Sequence, residues 1–115
     1  MQARTIRQLL ILIVVGASYA GILFAASPTI SSLSPNTRLH AGATVVTITG
    51  SNFGPTQGSS TVTFNGTVAT TFSSWSDTVI KVTVPSGTTN GKVVVTVGGV
   101  PSNGVAYSMF AGIKK

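Results

Sequence analysis

Few side chains in this sequence could move a proton or hold a cation. There is one acidic residue, Asp77, and one histidine, His40. General acid–base work by paired carboxylates needs two acids and is excluded. His40, Asp77 and a serine could be drawn as a nucleophilic triad, but no Gly-x-Ser-x-Gly elbow presents the serine. His40 reads as an exposed loop residue. A calcium site takes six to eight oxygens, commonly from several carboxylates, and a lone Asp with backbone carbonyls falls short of that. The glycines sit in turn-like settings rather than ahead of a helix, so no phosphate loop is present. Absence of cysteine excludes a disulfide framework, Cys-ligated zinc, thiol catalysis and a Cys-linked lipid anchor. The expectation is a non-enzymatic chain with no catalytic residues, no cofactor and no metal.

Two residues remain as candidates for ligand or partner contact, Trp75 and Asp77. An exposed Trp can stack on a sugar face or grip a partner; at the start of a strand it can instead close the end of a core. Asp77 follows Trp75-Ser76 just before a strand-like run, a position where Asp accepts backbone N–H bonds. A third aromatic, Phe53, lies in "TITGSNFGPTQGSSTVTFNG" (47–66), among turn residues. We read it as a plug. Gly50 ends a strand, Ser51-Asn52 turn the chain, Phe53 folds back under the loop, and Gly54 lets the backbone leave. The alternative is that Phe53 belongs to a binding surface.

The elements that must position these residues are strands. Apolar and polar residues alternate with period two at Val46/Ile48, Val62/Phe64, Ile80/Val82/Val84, Val93/Val95/Val97 and Val105/Tyr107/Met109. Each strand so patterned buries one face against a second sheet and leaves the other in water. Phe64, Phe72 and Tyr107 fall on the buried side, with the Tyr107 hydroxyl near a rim. Asn-Gly occurs at 65–66, 90–91 and 103–104, and this dipeptide tolerates the positive φ angles of type I′ hairpin turns. The strongest hairpin signal is Asn65-Gly66, whereas Asn90-Gly91 stands at the end of a longer loop, "PSGTTNG". Pro85 stops the preceding strand because it offers no ladder N–H. Strands are expected at 29–34, 44–50, 60–65, 67–72, 78–84, 92–98 and 104–110, which fits an immunoglobulin-like sandwich held by packing alone.

The N-terminus differs. Arg4 and Arg7 precede an uncharged apolar run, Leu9 to Ala26. That is the pattern of a secretory signal, with small-residue cleavage candidates at Ser18-Tyr19-Ala20 and Ala25-Ala26. The run also just reaches the length of a membrane span, with the arginines on the cytoplasmic side. Either way residues 27 onward leave the cytoplasm. The division is therefore residues 1–26 as signal peptide or hydrophobic helical anchor, 27–110 as one domain, and 111–115 as a basic tail. Beyond residue 26, Arg38, Lys81, Lys92, Lys114 and Lys115 face only Asp77. These cations are scattered, so nucleic acid is not an expected partner despite the high pI. Few charges guard the strand edges, which leaves self-association open. Asn65-Gly66-Thr67 also matches an N-glycosylation acceptor on a turn that needs Asn-Gly anyway.

Residues 28–110 resemble the IPT/TIG domain, an immunoglobulin-like family shared by plexins and transcription factors. The resemblance is carried by "SPTISSLSPNTRLHAGATVVTITGSNFG", with its Thr-x-x-Gly-x-x-Phe-Gly signature, and by "SSWSDTVIKVTVPSGTTNGKVVVTVGGVPSNGVAYSM". The loop "SPNTRLHAGAT" departs from the Ser-Gly and Gly-Gly turns common there. Gly50, Phe53, Gly54 and Pro85 match structural positions of the pattern. The resemblance implies a β-sandwich of about seven strands and no enzymatic activity. With the export pattern, it implies a binding, adhesion or structural module at a cell surface, whose partner is a protein or polysaccharide. The alternative is a carbohydrate-binding module using Trp75 as its stacking platform.

Overall fold

A computed structural model describes residues 26–111. Residues 1–25, which hold nearly all of the expected signal or anchor helix, and residues 112–115 of the tail lie outside the described residues. Nine strands run in chain order: β1 Thr29–Ser34, β2 Val45–Ser51, β3 Thr61–Phe64, β4 Thr67–Val68, β5 Phe72–Trp75, β6 Val79–Thr83, β7 Gly91–Val97, β8 Val100–Pro101 and β9 Val105–Tyr107. They form two antiparallel sheets. One has the order β1-β2-β6-β5; the other has the order β4-β3-β7-β8, with β9 also paired to β7. This is the immunoglobulin-like arrangement of two facing sheets.

Period-two alternation sets the core. Val46 and Ile48 of β2, Ile80 and Val82 of β6, Val62 and Phe64 of β3, and Val93 and Val95 of β7 are all fully buried. Their neighbours on the same strands, mostly Thr and Lys, face outward or are half-buried. In β1 the alternation skips: Ile30 and Leu33 are buried with Ser31 and Ser32 exposed between them. A register shift between Ile30 and Ser32 accounts for this, since one extra residue returns both side chains to the same face.

Besides the last strand, expected at 104–110 and observed only at Val105–Tyr107, the structure departs from the expected strands in two places. The expected strand 67–72 is instead two elements in different sheets. β4 ends at Val68, and after residues 69–71 the chain joins the opposite sheet as β5 along β6. Phe72 therefore packs half-buried at the edge of the core rather than inside it. The second departure is β8, which follows a tight turn at Gly98-Gly99, where φ is +58° and +83°.

The three Asn-Gly pairs behave differently. Asn65 and Gly66 have φ of +51° and +86° and close the β3–β4 hairpin as expected. Asn90-Gly91 is not such a turn: Gly91 starts β7, and a Cβ there would lie 2.6 Å from the Asn65 side chain. Asn103-Gly104 is not one either. The Asn103 side chain bonds the backbone of Ile30, and Gly104 leaves room for the stem of Lys92.

Candidate functional site

The signature residues meet at one end of the sandwich, where β2 leaves, β5 ends and β6 begins. Gly50 lies within β2 opposite Ile30 rather than ending the strand as expected. Its lack of a side chain is a matter of space: a Cβ would stand 1.9 Å from the Thr29 carbonyl oxygen and 2.7 Å from Phe53 Cζ. Phe53 uses that space and is fully buried. To turn the ring inward the backbone passes through positive φ at Asn52 (+63°) and Gly54 (+90°). Asn tolerates this region better than most residues, and glycine has no Cβ to oppose it.

Polar groups hold the loop over the plug. The Phe53 N–H donates to the Asp77 backbone carbonyl at 3.0 Å, and the Gly54 N–H donates to Asp77 Oδ1 at 3.0 Å. The Trp75 indole N–H is shared between the carbonyls of Phe53 (3.3 Å) and Gly54 (3.2 Å). Such a three-centre bond ties a backbone that has no strand partner at this point. The Trp75 ring is half-buried and meets Phe72 edge-on, with centroids 5.6 Å apart. Ser76 shapes the turn from which Trp75 and Asp77 project, its Oγ accepting from the Val79 N–H at 3.0 Å. Asn52 Nδ2 donates to the Ser27 carbonyl at 3.3 Å, linking the loop to the incoming chain.

Trp75 and Asp77 are thus brought together, as the sequence suggested, and both bond to the Gly50–Gly54 segment. Pro85 stands apart, two residues beyond the end of β6, where its carbonyl accepts from the Thr88 hydroxyl. His40 is exposed at the opposite end and stacks on Phe110, with centroids 4.7 Å apart. Among the described residues no three His, Cys, Asp or Glu side chains gather as a metal site. Sequence reasoning missed Leu39, which is buried, and the bracing role of Asn103. No periodicity marks Leu39, and a side chain bonding 73 residues away leaves no local trace.

A family model for the IPT/TIG domain matches residues 28–109. The chain belongs to the IPT/TIG domain family. No curated protein matches it. Among solved structures, a gamma-CGTase from Alkalophilic bacillus clarkii is similar over 76% of this chain, with 33% identity and a TM-score of 0.62. A "Putative phosphatase" from Bacteroides thetaiotaomicron is similar over 73%, with 23% identity and a TM-score of 0.62; that likeness concerns the fold alone. This chain spans only 13% and 18% of those two proteins. A domain of this fold therefore also occurs as one part of longer chains.

Proposed function

We propose that this IPT/TIG chain is a non-enzymatic, exported module that binds or positions other macromolecules at a cell surface. The observation that carries this reading is the use made of Trp75 and Asp77. The aromatic and the acid best suited to chemistry are both bonded to the loop over Phe53. A module whose distinctive residues secure its own fold supplies a stable body rather than a reaction centre. The Arg4/Arg7 pair and the apolar run behind it support export, by cleavage or by retention as an anchor.

The path of the chain fits this role. Residue 26 lines a recess of about 290 Å³ with Asn52, Gly54, Asp77, Val97 and Val100, at the plug end. The chain leaves at the other end, where the Phe110 N–H donates to the Leu39 carbonyl. Such a module acts as a spacer, its plug end towards the N-terminal segment. Partner-facing residues then belong on the far end or the flanks.

Protease treatment of intact and of opened cells expressing the full chain tests the reading. Digestion of the domain without opening the cytoplasm is the expected result; full-length chain protected until the cytoplasm is opened contradicts it. The carbohydrate-binding alternative needs the Trp75 face to be available. Retention on a polysaccharide matrix that is lost in a folded Trp75→Leu variant would put that alternative first.

A further inference from the structure

The sandwich has four lateral edges, and they are treated unequally. On β1 the Asn103 side chain occupies both backbone groups of Ile30: its Oδ1 accepts the N–H at 2.8 Å and its Nδ2 donates to the carbonyl at 3.0 Å. β9 is three residues long, and the segment that follows it is tied to residues 36–39. There the Ser108 N–H donates to the Asn36 carbonyl at 3.0 Å, and the Leu39 N–H to the Ser108 carbonyl at 3.1 Å. β8 is two residues long and includes Pro101; β4 is also two residues long. These are recognised ways of blunting an edge: cover it, shorten it or place proline on it. β5 has neither cover nor proline, and its one such device is a bulge at Ser73. It is a terminal strand of four residues, Phe72-Ser73-Ser74-Trp75, with no proline and no charge. The charge next to it belongs to the neighbouring strand: Lys81 of β6 pairs with Ser74 and is exposed.

From this we infer that β5 is a self-association edge, pairing antiparallel with β5 of a second copy to join two four-stranded sheets into one. The four residues are self-complementary about a two-fold axis between Ser73 and Ser74. Phe72 falls opposite Trp75 of the second copy and Ser73 opposite Ser74, so aromatic pairs flank a serine pair and no like charges meet. Cross-strand pairs of this kind stabilise a sheet, whereas like charges directly opposite oppose it. Because the other three edges are covered or short, pairing closes at two copies instead of propagating as a fibre. Ser73 forms a bulge between Phe72 and Ser74, which twists an edge and weakens pairing. The dimer is accordingly weak and concentration-dependent. Holding the copies in one membrane would raise their effective concentration. The inference specifies one partner for the proposed module, a second copy, but it rests on the fold and not on export. A failed localisation test would leave it standing, and the reverse is also true.

The test is light scattering of the full chain in mild detergent over a concentration series, with four variants checked for folding by circular dichroism. Wild type should pass reversibly from one chain to two. Ser73→Glu should raise the dissociation constant about tenfold, since the two-fold axis twice sets a charge with no counter-ion opposite Ser74 of the other copy, and Ser73→Lys should do the same. Mixing Ser73→Glu with Ser74→Lys should restore association, because these positions lie opposite each other. Ser32→Glu, on the covered β1 edge, should change nothing. Wild type that stays monomeric overturns the inference. So does a dimer unaffected by Ser73→Glu, which would place the contact elsewhere, or growth beyond two copies, which would mean that another edge is open.

Discussion

The two ends of the sandwich are closed in different ways. At the plug end a phenylalanine is drawn wholly inside, and the side chains of Trp75, Asp77 and Asn52 hold the loop above it through four bonds. At the far end Tyr107 closes the core, its ring against Phe64 at 5.5 Å, and a single hydroxyl bond to the Thr89 carbonyl ties it to its loop. Phe110 remains 44% exposed there, stacked on His40. The family signature thus marks the end where side chains fasten a loop over a buried aromatic. Its conspicuous residues, Trp75 and Asp77, bond to the loop over Phe53.

The largest effect should come from removing the plug. Phe53→Ala should cost about 3–5 kcal/mol in denaturant unfolding. A loss under about 1 kcal/mol would mean that the ring is not a core element. Gly50→Ala should follow at about 1–3 kcal/mol, since the new methyl meets the Thr29 carbonyl and the Phe53 ring and one of them must shift. An unchanged midpoint would show that the strand yields easily. Trp75→Phe keeps most of the ring but removes the shared N–H, and should cost about 1 kcal/mol.

At the far end Tyr107→Phe should cost about as much or less, and here pH separates the two ends. Burial pushes the Tyr107 hydroxyl above its usual value of 10.0. Once pH passes 10 the unfolded chain loses this proton while the folded chain keeps it. The folded state then binds more protons, so stability falls as pH rises. Below that pH the contribution is complete. Comparing unfolding at pH 9 and 11 should show a smaller alkaline loss for Tyr107→Phe than for wild type, since lysine titration is common to both; equal losses would contradict it. Phe110→Ala should have the least effect, within about 0.5 kcal/mol, as is usual for surface positions.

Most of the sandwich was legible because half-buried strands write their burial into the sequence at every second residue. Val46, Ile48, Val62, Phe64, Ile80, Val82, Val93 and Val95 all followed that pattern. Phe53 was legible for another reason: an aromatic among turn residues needs somewhere to go, and a neighbouring glycine supplies the space. The β4–β5 crossing was not legible. "TVATTFSSW" alternates weakly, and nothing in it states that the chain changes sheets after Val68. Asn90-Gly91 ends a longer loop, as its flanks suggest, but Asn-Gly misled at 103–104 because asparagine has a second use, its amide reaching distant backbone such as Ile30. The Gly98-Gly99 turn carried an equally good local signal and formed the hairpin instead. Trp75 and Asp77 were legible as a pair near the loop. The bonds that join them to Phe53 and Gly54 depend on β5 lying in the β6 sheet, which only the tertiary arrangement provides.

A double-mutant cycle between Phe53 and Trp75 tests most directly whether plug and brace form one structural unit. Phe53→Leu, Trp75→Phe and the double variant would be unfolded in denaturant and followed by circular dichroism. If the indole N–H acts only by holding the plug's loop, Trp75→Phe should cost about 1 kcal/mol in the wild-type background and nearly nothing once Phe53→Leu has loosened that loop. Additive losses would contradict the account, because they would mean that Trp75 contributes independently of the loop it is bonded to.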